Sequence, residues 1–138
     1  MIIGKAIYAA LSGNSAVNAI VSGRIYPAIG PEVGKDFPEI VYGGDAEAQE
    51  QEYAGPDALT SQSVRIECHA LTYAAADALA NAVRVVLDGQ SGTWGGIVVQ
   101  GAFLDDASEA TEANDDAGQE SVIYVFEQQY TFWFVQPG

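Results

Sequence analysis

The stretch that decides the fold is VRIECHALTYAAADALANAVRVVLDG, residues 64–89. Its first part alternates apolar and polar residues, which predicts a half-buried strand over 61–71. Thr72 has a side chain suited to capping the helix that follows, and Asp88-Gly89 is expected to end that helix. The strand is predicted to place Val64, Ile66, Cys68 and Ala70 on one face and Ser63, Arg65, Glu67 and His69 on the other. The apolar stripe of the helix is predicted to hold Ala75, Leu79, Ala82, Val83 and Val86.

The elements around this stretch predict an α+β fold. The further predicted segments are helices over 2–12 and 16–21, an extended segment over 24–27, and strands over 39–43, 97–104 and 121–135. Glycines make 89–96 a predicted link of turns. We therefore expect a single domain over 1–138, in which helices pack on one face of a mostly antiparallel sheet of four or more strands.

The last predicted strand carries bulky side chains on both faces. Tyr130, Phe132 and Phe134 alternate with Thr131, Trp133 and Val135. A strand of this kind is either central in its sheet and covered, or part of a subunit interface. The residues leave both interpretations open.

Two acidic stretches, 44–60 and 105–120, lack apolar periodicity and are expected to be mobile loops. They hold twelve of the 19 Asp and Glu residues and no Lys or Arg. The net charge of −14 disfavours nucleic-acid binding, because phosphates would be repelled. No apolar run approaches the roughly 20 residues that span a bilayer, so no membrane partner is expected.

The residues with chemical potential are few. Cys68 is the single cysteine and lies on the predicted apolar face, which favours a buried structural thiol. His69, the single histidine, has no nucleophile at a recognisable spacing, so no catalytic residue is predicted. One Cys and one His cannot make a structural zinc site, and no glycine-rich stretch matches a nucleotide-binding motif. Weak cation binding by the acidic stretch 105–120 is left open, and no cofactor is expected.

Several short phrases occur in a characteristic order. They are RIYP at 24–27, PEIVY at 38–42, the strand at 64–70, the helix ending in LDG at 87–89, and QYTFWFV at 129–135. Over roughly residues 7–135 their order and spacing resemble the tail completion (tail terminator) proteins of long-tailed bacteriophages. The acidic stretch 105–120 is longer than in that family.

The resemblance implies a structural virion protein without enzymatic activity. Such proteins form a ring, typically a hexamer, on the head-proximal end of the tail tube, and they assemble in the host cytoplasm. The implied partners are further copies of the chain, the major tail tube protein and a head-completion or neck protein, with DNA only passing through the bore. A neck or head-closure connector and a small cytoplasmic ligand-binding module remain as alternatives.

The residues expected to contact partner proteins lie on the polar face of the 61–71 strand, at the early turn, in the acidic stretches and on the last strand. They are Arg24, Tyr26, Arg65, Glu67, His69, Asp105, Asp106, Glu109, Glu112 and Trp133. The acidic stretches would either line the bore and repel DNA or face basic surfaces of neighbouring rings. The sequence does not choose between these two placements.

Overall fold

Helices packed against a mixed β-sheet make up the fold. The computed structural model describes residues 2–28, 36–44, 49–51, 59–114 and 121–135. Within these ranges the helices are α1 (Ile3–Ser12), α2 (Ser15–Val21) and α3 (Tyr73–Leu87). The strands are β1 (Ile25–Pro27), β2 (Glu39–Gly43), β3 (Gln49–Gln51), β4 (Leu59–Ala70), β5 (Gln90–Trp94), β6 (Ile97–Asn114) and β7 (Ser121–Val135).

The strand order confirms an α+β architecture with a mostly antiparallel sheet. The described strands follow the order β1-β2-β4-β7-β6-β5, and β3 pairs with β4 beyond the part of that strand that pairs with β2. The β1–β2 pair is parallel, so the sheet is mixed rather than purely antiparallel. Strand β7 lies between β4 and β6, so it is a central strand of the sheet.

Side-chain caps fix where α2 and α3 begin. Thr72 Oγ1 accepts a hydrogen bond from the Ala75 amide at 3.1 Å, as predicted for the start of α3. At the start of α2, Asn14 Oδ1 accepts a hydrogen bond from the Val17 amide at 3.0 Å. No helix in the described part of the chain is long and apolar enough to cross a membrane.

The core lies between the helices and one face of the sheet. Its sheet side includes the predicted inward residues of β4 and, on β7, Tyr130, Phe132 and Phe134, all fully buried. The predicted stripe of α3 is partly wrong. The helix buries Ala76, Leu79, Ala80, Val83 and Leu87, whereas Ala75, Ala82 and Val86 are half-buried. The large residues at i, i+4 and i+8 set the orientation of the helix, because alanine on every side gives no directional signal.

The prediction of a loop over 105–120 is wrong for its first ten residues. Residues 105–114 belong to β6 and pair with β7 up to Asn114 opposite Ser121. Their backbone groups find partners on a long apolar neighbour, which outweighs the low strand propensity of their side chains. Residues 115–120 lie outside the described residues.

The other predicted loops also contain strand segments. Residues 49–51 form β3 and residues 59–60 begin β4, while 45–48 and 52–58 lie outside the described residues. The glycine-rich link after α3 contains β5, which pairs with the start of β6. Its glycines adopt the left-handed conformation at the turn, with φ of +58° at Gly95 and +82° at Gly96.

Two buried polar side chains of β7 connect the sheet to α3 by hydrogen bonds. Tyr130 donates its hydroxyl to Gln128 Oε1 at 2.7 Å, and Gln128 Nε2 donates to the Ala80 carbonyl of α3 at 3.0 Å. Cys68 is a fully buried free thiol, as predicted, and burial raises its pKa. The thiol is therefore held neutral and unreactive.

Candidate protein-protein interface

The outer face of the sheet, which points away from the helices, gathers most of the residues predicted to contact partners. Directly paired residues on neighbouring strands point to the same side. One row across this face holds Tyr26, Val41, Glu67, Glu127 and Ser108. The next row holds Gly43, Arg65, Gln129 and Asp106.

A charged cluster occupies the middle of the outer face. Arg65 Nε donates to Glu67 Oε2 at 2.7 Å, and His69 Nε2 lies 2.9 Å from Glu67 Oε1. Glu67 is directly opposite Glu127, a pairing of like charges that would destabilise the sheet if nothing offset it. The contacts to Arg65 and His69, together with a 2.9 Å bond from Gln129 Nε2 to Glu127 Oε1, offset that repulsion.

His69 is not on an exposed surface, contrary to the prediction. Its exposed fraction is 6%, and the residues paired with it, Glu39 on β2 and Val125 on β7, are also buried. Its Nδ1 lies 3.9 Å from Glu39 Oε2, which is too long for a hydrogen bond. His69 therefore holds the Glu67 carboxylate in place through its Nε2 contact. The half-buried side chains of Arg65 and Glu67 form the accessible part of the cluster.

The early turn residues have structural contacts. Arg24 Nε donates to the Pro38 carbonyl at 2.9 Å, and the Arg24 carbonyl accepts from the Ile40 amide at the same distance. Arg24 thus fastens the start of β1 to β2. Tyr26 is half-buried on the outer face, in the row of Glu67.

The carboxylates of β6 are divided between the two faces. Asp105 lies at a bulge and accepts a hydrogen bond from the Thr131 hydroxyl. Asp106 and Glu112 are exposed on the outer face, whereas Glu109 points to the helix side of the sheet. The structure therefore does not bring the ten predicted contact residues into one surface.

Trp133 belongs to an apolar area of the outer face, which we call the outer apolar patch: Val98, Phe103 and Trp133. Phe103 is 49% exposed and its ring lies over Gly101, where a Cβ atom would be 2.8 Å from the ring. Gly101 is directly opposite the half-buried Trp133, so the two aromatic side chains are neighbours. Val98, earlier on β6, is also exposed.

Glu109 lies at a second surface, the aromatic depression, on the helix side of the sheet. This open hollow of about 300 Å³ is lined by Tyr73, Glu109, Ala110, Thr111, Tyr124 and Phe126. The sequence does not predict this hollow, because its lining residues come from α3, β6 and β7, which are far apart in the chain. The aromatic residues of β7 are the part of this site that is visible in the sequence. The exposure of Tyr73 at the start of α3 does not follow from any periodic pattern of apolar residues.

These surfaces are suited to non-covalent contact with other proteins. Exposed aromatic side chains beside charged groups are typical of protein interfaces. Within the described ranges, no three His, Cys, Asp or Glu side chains converge in a way that could hold a metal ion.

Comparison with known proteins agrees with the family resemblance of the short phrases in the sequence. A family model described as "Tail completion protein gp17" matches residues 5–134 of the 138. No curated protein sequence matches the chain.

A solved structure shares the fold. It is described as "Virion of native gene transfer agent (GTA) particle", and the match covers 94% of this chain and 92% of that one. The sequence identity is 18% and the TM-score is 0.66. At this identity the match establishes the common fold.

Proposed function

Because the chain belongs to the tail completion protein family of phage tail structural proteins, we propose that it caps the head-proximal end of the tail tube as a ring. In this proposal the ring stops tube polymerisation and provides the surface to which the head is joined. The family match over residues 5–134 is the observation that carries the proposal.

The outer apolar patch supports contact between subunits of the ring. A cyclic ring is held by heterologous contacts, in which one surface of each subunit meets a different surface of the next. Exposed Phe103 beside Trp133 offers aromatic area that is stabilised when a neighbour covers it. The patch lies on the face opposite the helices, so a neighbour can cover it without disturbing the core.

The charge of the chain makes ring formation dependent on the salt concentration and on the presence of a tube end. Each subunit brings a net charge of −14, so neighbouring subunits repel each other at low salt. Screening shortens this repulsion to about 10 Å at 0.1 M salt. A tube end that offers a complementary surface would offset the same repulsion, which supports a ring that forms on the tube more readily than in free solution.

The first test measures whether the chain caps tubes. Purified protein is mixed with tubes of the major tail protein and imaged by negative stain, while light scattering gives its mass at low and high salt. We expect rings at one end of each tube and a mass that rises with salt. Protein that stays monomeric, leaves tubes uncapped and binds the portal side of heads would contradict the proposal and favour a neck protein.

A substitution tests the role of the outer apolar patch. Phe103→Ser is expected to abolish or strongly reduce capping while the chain remains folded, because the side chain is half exposed. Val85→Ser is the matched control, since Val85 is 74% exposed on α3 and lies away from the patch. Equal loss of capping in both variants, or in neither, would exclude the patch as a subunit contact.

A further inference from the structure

The aromatic depression has the composition of a side-chain binding site. Tyr73 packs edge to face against Phe126, with ring centroids 5.1 Å apart at 67°, and against Tyr124, at 6.0 Å and 90°. Ligand pockets for small molecules range from about 300 to 1,000 Å³, so a hollow of about 300 Å³ is at the lower limit. Its size is appropriate for one inserted side chain.

A carboxylate lies at the edge of the aromatic rings. The Tyr73 hydroxyl lies 3.0 Å from Glu109 Oε1 and 3.1 Å from Oε2. This hydrogen bond raises the pKa of Tyr73, and the nearby charges of Glu109 and Asp77 raise it further. One hydroxyl proton occupies only a fraction of the acceptor positions of a carboxylate, so Glu109 retains capacity for further donors.

This combination selects a cationic group. Aromatic faces attract cations through their quadrupole, and Glu109 supplies a negative charge beside them. An apolar side chain would cover the rings but remove water from the carboxylate without compensation, and an anion would be repelled. A guanidinium fits best, because it stacks on aromatic rings and donates two parallel hydrogen bonds to a carboxylate.

The chain itself is a poor source of that guanidinium. Its three arginines already have acceptors: Arg24 the Pro38 carbonyl, Arg65 the carboxylate of Glu67, and Arg84 that of Asp88. A second copy would bring only the same three arginines. We propose that the aromatic depression binds an arginine side chain of a different protein in the particle. The identification of that source as a tail or neck protein rests on the proposed function.

The binding step is tested on the isolated full chain. Tyrosine and phenylalanine ring signals are followed by NMR during titration with the peptide acetyl-Gly-Arg-Gly-amide, and with the same peptide carrying uncharged citrulline. We expect shifts confined to Tyr73, Tyr124 and Phe126, with weak affinity on the order of millimolar, as suits one cation–π contact and one charged hydrogen bond. Citrulline should produce no saturable shift.

A pair of variants separates a specific site from general attraction to an acidic protein. Glu109→Gln is expected to weaken arginine binding about tenfold, because the charge-assisted hydrogen bond is lost. Glu112→Gln removes the same charge from the same strand on the opposite face, and should leave binding unchanged. Both residues are exposed, so both variants should retain the wild-type amide spectrum.

The outcomes distinguish this inference from the proposed function. Equal weakening in both variants, or no saturable shift with the arginine peptide, would overturn the arginine site whatever the tubes show. Failure to cap tubes would contradict the proposed function while leaving the titration unaffected, since the titration uses no tubes. Tube capping and head joining that are both unchanged in Glu109→Gln would overturn the assignment of the arginine to a tail or neck protein.

Discussion

The buried hydrogen bond between Tyr130 and Gln128 allows a quantitative test of what holds α3 to the sheet. Both residues lie on the helix side of β7, and the amide of Gln128 continues the connection to the Ala80 carbonyl. Tyr130 is fully buried and Gln128 is 5% exposed, so water cannot replace a lost partner. The perturbation is Tyr130→Phe, alone and together with Gln128→Met.

The magnitude follows from which groups are left unpaired. Tyr130→Phe leaves Gln128 Oε1 buried without its donor, which costs about 1–3 kcal/mol of unfolding free energy. Gln128→Met leaves the Tyr130 hydroxyl unpaired at a similar cost, while methionine keeps nearly the same shape. The double variant has neither orphaned group. Its loss of unfolding free energy should therefore be smaller than the sum of the single losses by about 1 kcal/mol or more.

The assay is urea unfolding of the four proteins, followed by circular dichroism at one pH below 8. Parallel slopes against urea concentration would show that the same surface is exposed on unfolding in each case. Losses that add to within about 0.5 kcal/mol would refute the reasoning, because independent sites add in this way.

Three further predictions concern the core, the pH dependence and the long hairpin. Leu79→Ala should lower the unfolding free energy by about 2–5 kcal/mol. Val85→Ala, on the exposed side of α3, should change it by less than about 0.5 kcal/mol, and urea unfolding measures both. Burial raises the pKa of both Cys68 and Tyr130, so the folded chain keeps them neutral where the unfolded chain ionises. Stability should therefore fall as the pH rises above about 8.5, with a smaller fall in Tyr130→Phe, as thermal melts across this range would show; an increase would contradict the assignment. Deletion of 105–120 should abolish cooperative unfolding, because it removes the described strand that pairs with half of β7. A native-like thermal melt of this variant would show that these residues do not contribute to the fold.

The sequence predicted those elements whose pattern comes from burial. Residues 63–70 of β4 alternate between apolar and polar, and α3 has a side-chain cap at Thr72 and a turn at Asp88-Gly89, so the pattern predicts both elements to within about two residues. The orientation of α3 is predicted only in part, because its many alanines carry no directional information. Only Leu79, Val83 and Leu87 determine which side packs on the sheet.

The missed parts depend on contacts between distant segments. Residues 105–114 have a loop-like composition and become a strand because β7 supplies partners for their backbone. His69 alternates with the inward residues of β4, as an exposed residue would, but it is buried between strands that are far away in the sequence. The aromatic depression likewise needs α3 to begin beside β6 and β7, which no local pattern encodes.

The central position of β7 has a consequence for how the protein is made. β7 is the last described element to leave the ribosome, and both β4 and β6 pair along most of their length with it. A chain whose translation stops before residue 121 would leave two long strands without a neighbour and much of the core uncovered. Such a product cannot complete its sheet and becomes a substrate for proteases. A complete sheet therefore requires translation through β7.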